Sequence, residues 1–158
     1  MLFRSEDGIL TAEEVQSLDL RGTEMVVLSA CETGLGQGYY GQGVMGLQRA
    51  FQAAGARAVV ASLWRVDDAA TTVLMEQFYT NLWSKKMPKL EALRHAQLTV
   101  LNNPGMVSTR RSDLANQRGI DDKPEKLPHG GRVAPPNAPA TRSDPALWAA
   151  FVLSGDVR

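Results

Sequence analysis

Residues 25–64 read MVVLSACETGLGQGYYGQGVMGLQRAFQAAGARAVVASLW, and the fold turns on them. MVVLSA at 25–30 is a short apolar, β-branched run of the kind that forms a strand buried on both faces of a parallel sheet. In VMGLQRAFQAAG, the residues Val44, Leu47, Phe51 and Ala54 fall at helical spacing, and Gly55 supplies a C-terminal stop. RAVVASLW at 57–64 repeats the buried-strand pattern. Strand, helix and strand in roughly forty residues predict a right-handed parallel crossover.

Outward from this unit, Thr11 followed three residues later by Glu14 reads as a capping box that opens a short helix through Leu18, with Asp7-Gly8 turning the chain into it. Asp67 or Asp68 can cap a helix over 68–84, with Val73, Leu74, Phe78 and Leu82 on one side and Met75, Tyr79 and Trp83 on another, a face wide enough to be mostly buried. Pro88 suits the first position of a further helix to about Asn102, with Leu90, Leu93, Gln97 and Val100 in one row. Seven of the eight prolines fall between Pro104 and Pro145, so residues 104–146 read as a Pro/Gly-rich disordered insertion. A final strand is expected in LWAAFVLSG at 147–155.

The division is therefore an α/β core over 1–103, the insertion over 104–146 and a last core strand within 147–158, with parallel strands throughout. Sheets of this class usually carry about five or six strands. Only three are legible, so the domain reads as incomplete, with neighbouring strands expected from polypeptide before Met1.

Charge narrows the function classes. Seventeen basic residues balance seventeen acidic ones, which leaves no electrostatic footprint for nucleic acid or an anionic membrane. A single cysteine forms no internal disulfide, and the first ten residues lack a signal peptide's apolar core. A reducing, cytoplasmic setting follows as the expectation. No apolar window is long enough to span a bilayer.

Six glycines lie between Gly34 and Gly46, and two readings compete for them. GQGYYG at 36–41 and GQGVMG at 41–46 both match a dinucleotide fingerprint, and Asp67-Asp68 lies after the next strand. The copy that opens the helix, at Gly41 and Gly43, begins some ten residues past the strand's end, too far for the tight turn that seats a pyrophosphate. The other reading starts from Cys31, directly after a parallel strand, with Asp67 and Asp68 brought to the same edge by the second strand. Ligands of open α/β sheets bind beyond those carboxyl ends. Small neighbours Ser29, Ala30 and Gly34 leave room for an extended peptide, and the Cys31 backbone N–H can serve an oxyanion hole. Equally, a lone cysteine can be a small buried hydrophobe.

VVLSACETGLGQG, GVMGLQRAFQAAGARAVVASLWRVDDAATTVLMEQFY and WAAFVLSGD together resemble the C-terminal half of a CHAT domain, a caspase- and separase-like module commonly found behind tetratricopeptide (TPR) repeats. The similarity runs from about Leu10 to Gly155 without the insertion. It implies a caspase-like sandwich, Cys31 as nucleophile of a cysteine peptidase, a protein or peptide substrate, and no cofactor or metal. It further implies that the acidic residues after Leu63-Trp64 shape the pocket for the side chain before the cut. The family's general-base histidine, usually followed by glycine, precedes the cysteine by roughly fifty residues. The thirty residues before Cys31 contain no histidine. His95 falls mid-helix, four residues after Glu91, and His129 in PEKLPHGGR follows no strand. Both read as structurally idle, so the base is expected from upstream polypeptide or a TPR-containing partner, and the chain alone as inactive.

Remaining candidates carry two readings each. Glu32 can orient substrate, although its carboxylate would raise the neighbouring thiol's pKa. Trp64 lines a pocket or packs in the core; Asp67 and Asp68 contact substrate or only cap a helix. Tyr39 and Tyr40 sit in the glycine segment, exposed. As alternatives to the peptidase stand a catalytically dead CHAT-like binding or scaffold module and a dinucleotide-binding domain.

Overall fold

The computed structural model describes residues 10–28, 42–118 and 142–158. The expected order of strand, helix and parallel strand is present. Strand β1 (Val26–Leu28) leads, through residues outside the described ones, to helix α2 (Gln42–Ala53) and strand β2 (Ala58–Ser62). β1 and β2 are parallel, in register from Val26 beside Val59 to Leu28 beside Ala61. All five residues of β2 are buried, as a central strand's are.

Helix α1 (Ala12–Gln16) opens on the expected capping box: the Thr11 hydroxyl accepts the Glu14 N–H at 3.2 Å, and the Glu14 carboxylate accepts the Thr11 N–H at 2.8 Å. α1 packs on α2, which packs on β2. At the end of α2, Gly55 N–H donates to the Gln52 carbonyl and Ala56 N–H to the Phe51 carbonyl, each at 3.0 Å. This is the double bond of a Schellman turn, and it requires the left-handed φ of +107° that Gly55 adopts. A Cβ there would also stand 2.8 Å from the Arg21 nitrogen. Arg21 is itself held by Asp19 at 2.8 Å, an exposed pair in which the guanidinium's hydrogen bond draws the Asp19 carboxyl down to about 2. Gly55→Ala is expected to lower unfolding free energy by about 1–2 kcal/mol, read from urea denaturation.

The opposite face of the sheet carries the larger core. Helix α3 (Asp68–Tyr79) continues into a π-helical turn (Thr80–Ser84), followed by α4 (Lys89–Asn102), α5 (Pro104–Arg118) and the one-turn α6 (Pro145–Trp148). Val60, Leu74, Phe78, Leu93, Val100 and Phe151 belong to one buried cluster beneath them. The π turn is fixed by buried Asn81, whose amide donates to the Ala92 carbonyl at 3.2 Å and accepts from Lys85 at 2.8 Å. Trp83, expected in a mostly buried face, is 60% exposed and stacks on Tyr79 with ring centres 4.6 Å apart. Along α4 the buried row is Ala92, Leu93, Ala96 and Val100; Leu90 is exposed. Gln97, half-buried, donates to the Phe151 carbonyl at 2.9 Å and ties α4 to the last strand.

Three expectations are corrected. The last strand, β3 (Phe151–Gly155), runs antiparallel to β2, so the sheet is mixed, in the order β1-β2-β3. Its beginning is not strand: Asp144 accepts the Ala146 N–H and caps α6, after which Leu63 N–H donates to the Ala150 carbonyl and sets the reversed pairing. The insertion expected to be disordered from residue 104 begins instead as fifteen residues of helix, α5, with Val107 buried against α3 and α4. After residues 119–141, which lie outside the described ones, Ser143 returns the chain to α4 by bonding the Val100 and Leu101 carbonyls. Among the described residues β1 has one hydrogen-bonded neighbour, β2, and no helix is long and apolar enough to cross a membrane.

Candidate active site

Because β1 and β2 run parallel, their carboxyl ends reach the same edge of the sheet. Cys31 and Glu32 follow Leu28 by three and four positions in sequence and lie outside the described residues, as do Tyr39, Tyr40 and His129. From β2 the chain continues through Leu63, Trp64, Arg65 and Val66 to the acidic pair.

Trp64 is half-buried, packs against the helical core, and donates its indole N–H to the Ala146 carbonyl at 3.2 Å. It joins the end of β2 to α6, the packing half of its two readings. Ser62, the last residue of β2, is 1% exposed, and its hydroxyl has no hydrogen-bond partner among the described residues.

The two aspartates differ sharply. Asp67 is 6% exposed and N-caps α3, accepting the Ala70 N–H at 3.0 Å. Its second oxygen accepts from the Arg111 guanidinium of α5, also at 3.0 Å. One carboxylate is thus divided between a helix start and a neighbouring helix, with its charge balanced. Asp68, one residue on, is exposed in the first turn of α3, and its backbone carbonyl accepts the Thr72 hydroxyl at 2.8 Å. The chain leaving β2 carries Trp64, Asp67 and Asp68 past its carboxyl end, with Asp67 buried, Trp64 half-buried and Asp68 exposed.

Arg111 was not among the residues expected here, because α5 was read as part of the insertion. The available signal was modest: Pro104 at a helix's first position, then Val107 and Leu114 seven apart. Arg110 beside it pairs with Glu76 of α3. His95 is exposed on α4. Among the described residues no group of three or more His, Cys, Asp or Glu is arranged to hold a metal ion.

Comparison with known proteins shows the family. The family model described as CHAT domain matches residues 1–156, nearly the whole chain. The chain belongs to the CHAT domain family. A mouse (Mus musculus) protein, tetratricopeptide repeat protein 28, is 40% identical to this CHAT chain over 75 residues, which are 47% of the chain and 3% of that protein. The CHAT chain therefore spans a small fraction of the length of this relative. No solved structure matches it.

Proposed function

We propose that the chain is the nucleophile-bearing part of a CHAT-type cysteine peptidase domain, with Cys31 as nucleophile. The observation that carries this is the parallel β1–β2 pair: the strand that leads to Cys31 and the strand that leads to Asp67-Asp68 end on one edge. Ligands of open α/β sheets bind beyond the strands' carboxyl ends, which is where a peptide would lie here. Asp68, exposed in the first turn of α3, faces a substrate side chain, whereas Asp67 holds that turn in place. Trp64 supports that edge from below, and Glu32, next to Cys31 in sequence, orients substrate.

In the complete site a histidine removes the Cys31 thiol proton. The thiolate sulfur then attacks a peptide carbonyl carbon, and backbone N–H groups, that of Cys31 included, bind the oxyanion. The C–N bond breaks as the histidinium returns the proton to the leaving amine. Water then cleaves the acyl thioester and regenerates the thiol. His95 is exposed on α4 and is not used. The base comes from outside the chain, from upstream polypeptide or a TPR-containing partner that also extends the sheet past β1. The fold works in a cytoplasmic setting without a cofactor.

Labelling with a cysteine-directed active-site probe tests this directly. Cys31 is expected to label at least roughly a hundredfold faster once upstream polypeptide ending in a strand and His-Gly is supplied. Equal labelling with and without it would sink the proposal. A second reading, a binding module that has lost catalysis, draws on the edge of β1 that pairs with no strand among the described residues, where a partner strand can add. It predicts tight partner binding unchanged by Cys31→Ala.

A further inference from the structure

We infer that α5 is a separately opening strap, clamped across α3 by two arginine–carboxylate pairs, whose release bares the Asp67 carboxylate. The inference does not depend on the peptidase reading. α5 is fifteen residues long, yet Val107 is its one fully buried side chain among the described residues; Leu114 is half-buried and Met106 is 37% exposed. α3, by contrast, buries Ala69, Ala70, Val73, Leu74 and Phe78. Apolar burial therefore holds α3 in the core and contributes little to α5.

What grips α5 is electrostatic. Arg111 donates to Asp67 at 3.0 Å and Arg110 pairs with Glu76, consecutive arginines meeting carboxylates at the start and near the end of one helix. Beside the Arg110–Glu76 pair the two helices leave a surface groove of about 370 Å³, lined by Val73, Glu76, Met106, Thr109, Arg110 and Asp113. An element with one buried anchor, a groove along its side and ion pairs at its contacts opens before the core does. The clamps are unequal. The Arg111–Asp67 side chains are 17% and 8% exposed, against 31% and 51% for Arg110–Glu76, so the first is the latch and the second yields readily to salt. When α5 lifts, Asp67 keeps its bond to the Ala70 N–H and loses only the guanidinium, which leaves a capped, uncompensated carboxylate at the sheet's carboxyl edge.

Native-state hydrogen exchange by mass spectrometry on the full chain tests the strap, with carbodiimide modification of Asp67 as a second readout. Peptides within 104–118 are expected to exchange faster than those of α3 and α4. Arg111→Gln should accelerate α5 exchange and Asp67 modification together by at least roughly tenfold, with α4 exchange unchanged. Arg110→Gln should give about two- to threefold. On the unsubstituted chain, raising salt from about 0.05 to 0.5 M should speed both readouts severalfold. A common exchange rate for α5 and α4, responding in parallel to Arg111→Gln and to salt, would overturn the inference. So would α5 exchange that accelerates without any rise in Asp67 modification.

Discussion

Phe78→Ala is expected to destabilise the chain by about 3–5 kcal/mol, among the largest effects of any single side-chain truncation here. Phe78 is 0% exposed and is the largest fully buried side chain among the described residues. It sits where α3 passes into the π turn, in the cluster shared with Leu74, Leu93, Val100 and Phe151. Truncation removes the ring's burial and leaves a void. The walls close over it poorly, because Asn81 pins the π turn by its bonds to Ala92 and Lys85. Trp83→Ala provides the contrast. Its indole is larger, but it is 60% exposed and its main contact is the stack on Tyr79, so a loss of about 0.5–1.5 kcal/mol is expected. Urea denaturation of both variants checks the pair, and an unchanged m-value would place the effect in the native state. Equal losses would mean that the exposed aromatic stack carries as much stability as the core.

What could be read from the residues, and what could not, follows the same division between burial and local contact. The apolar run VVL, the row Leu47, Phe51 and Ala54, and AVVAS were legible because the crossover packs through apolar side chains, with β2 wholly buried and β1 half-buried, and burial writes itself into composition. Caps were legible for a different reason: Thr11, Asp67 and Gly55 act within a few residues of themselves. The direction of β3 was not, since alternation along FVLSG is the same whichever way the strand runs. Direction is decided by α6 and by the Leu63–Ala150 bond, contacts between segments more than eighty residues apart. α5 was missed because its order rests on Arg110, Arg111 and Val107 meeting α3 and α4, and two arginines beside serines look the same in a loop as in a clamped helix. For the site, residue order placed Cys31 and the acidic pair after their strands. Only the folded structure separates Asp67, turned inward to Arg111, from exposed Asp68.

Gly155→Ala is expected to be nearly as damaging as Phe78→Ala, for the addition of one methyl group. Gly155 ends β3 opposite Ala58 with a φ of +96°, a region that costs an alanine about 1–2 kcal/mol by itself. Its Cβ would stand 2.3 Å from the Arg57 carbonyl oxygen and 3.2 Å from the Ala58 Cα. Both are backbone atoms at the start of the central strand, so no rotamer change relieves the clash. The same Arg57 carbonyl accepts the Asp156 N–H at 2.7 Å, and displacing it breaks that bond. Damage should spread to the amino end of the sheet. There Glu24 pairs with Arg57 at 2.8 Å and with buried Lys89 at 3.7 Å, and Lys89 holds the Arg158 carbonyl at 2.6 Å. Adding overpacking of about 1–3 kcal/mol to the φ penalty gives a total loss of roughly 2–5 kcal/mol, seen as a fall in Tm and in the urea midpoint. Gly46→Ala is the matched control. Gly46 lies inside α2 with nothing within 4 Å of a built Cβ, so the identical change should stabilise by about 0.5–1 kcal/mol. If the two alanines shifted stability in the same direction, the backbone contact at Arg57 would not be what demands glycine at 155.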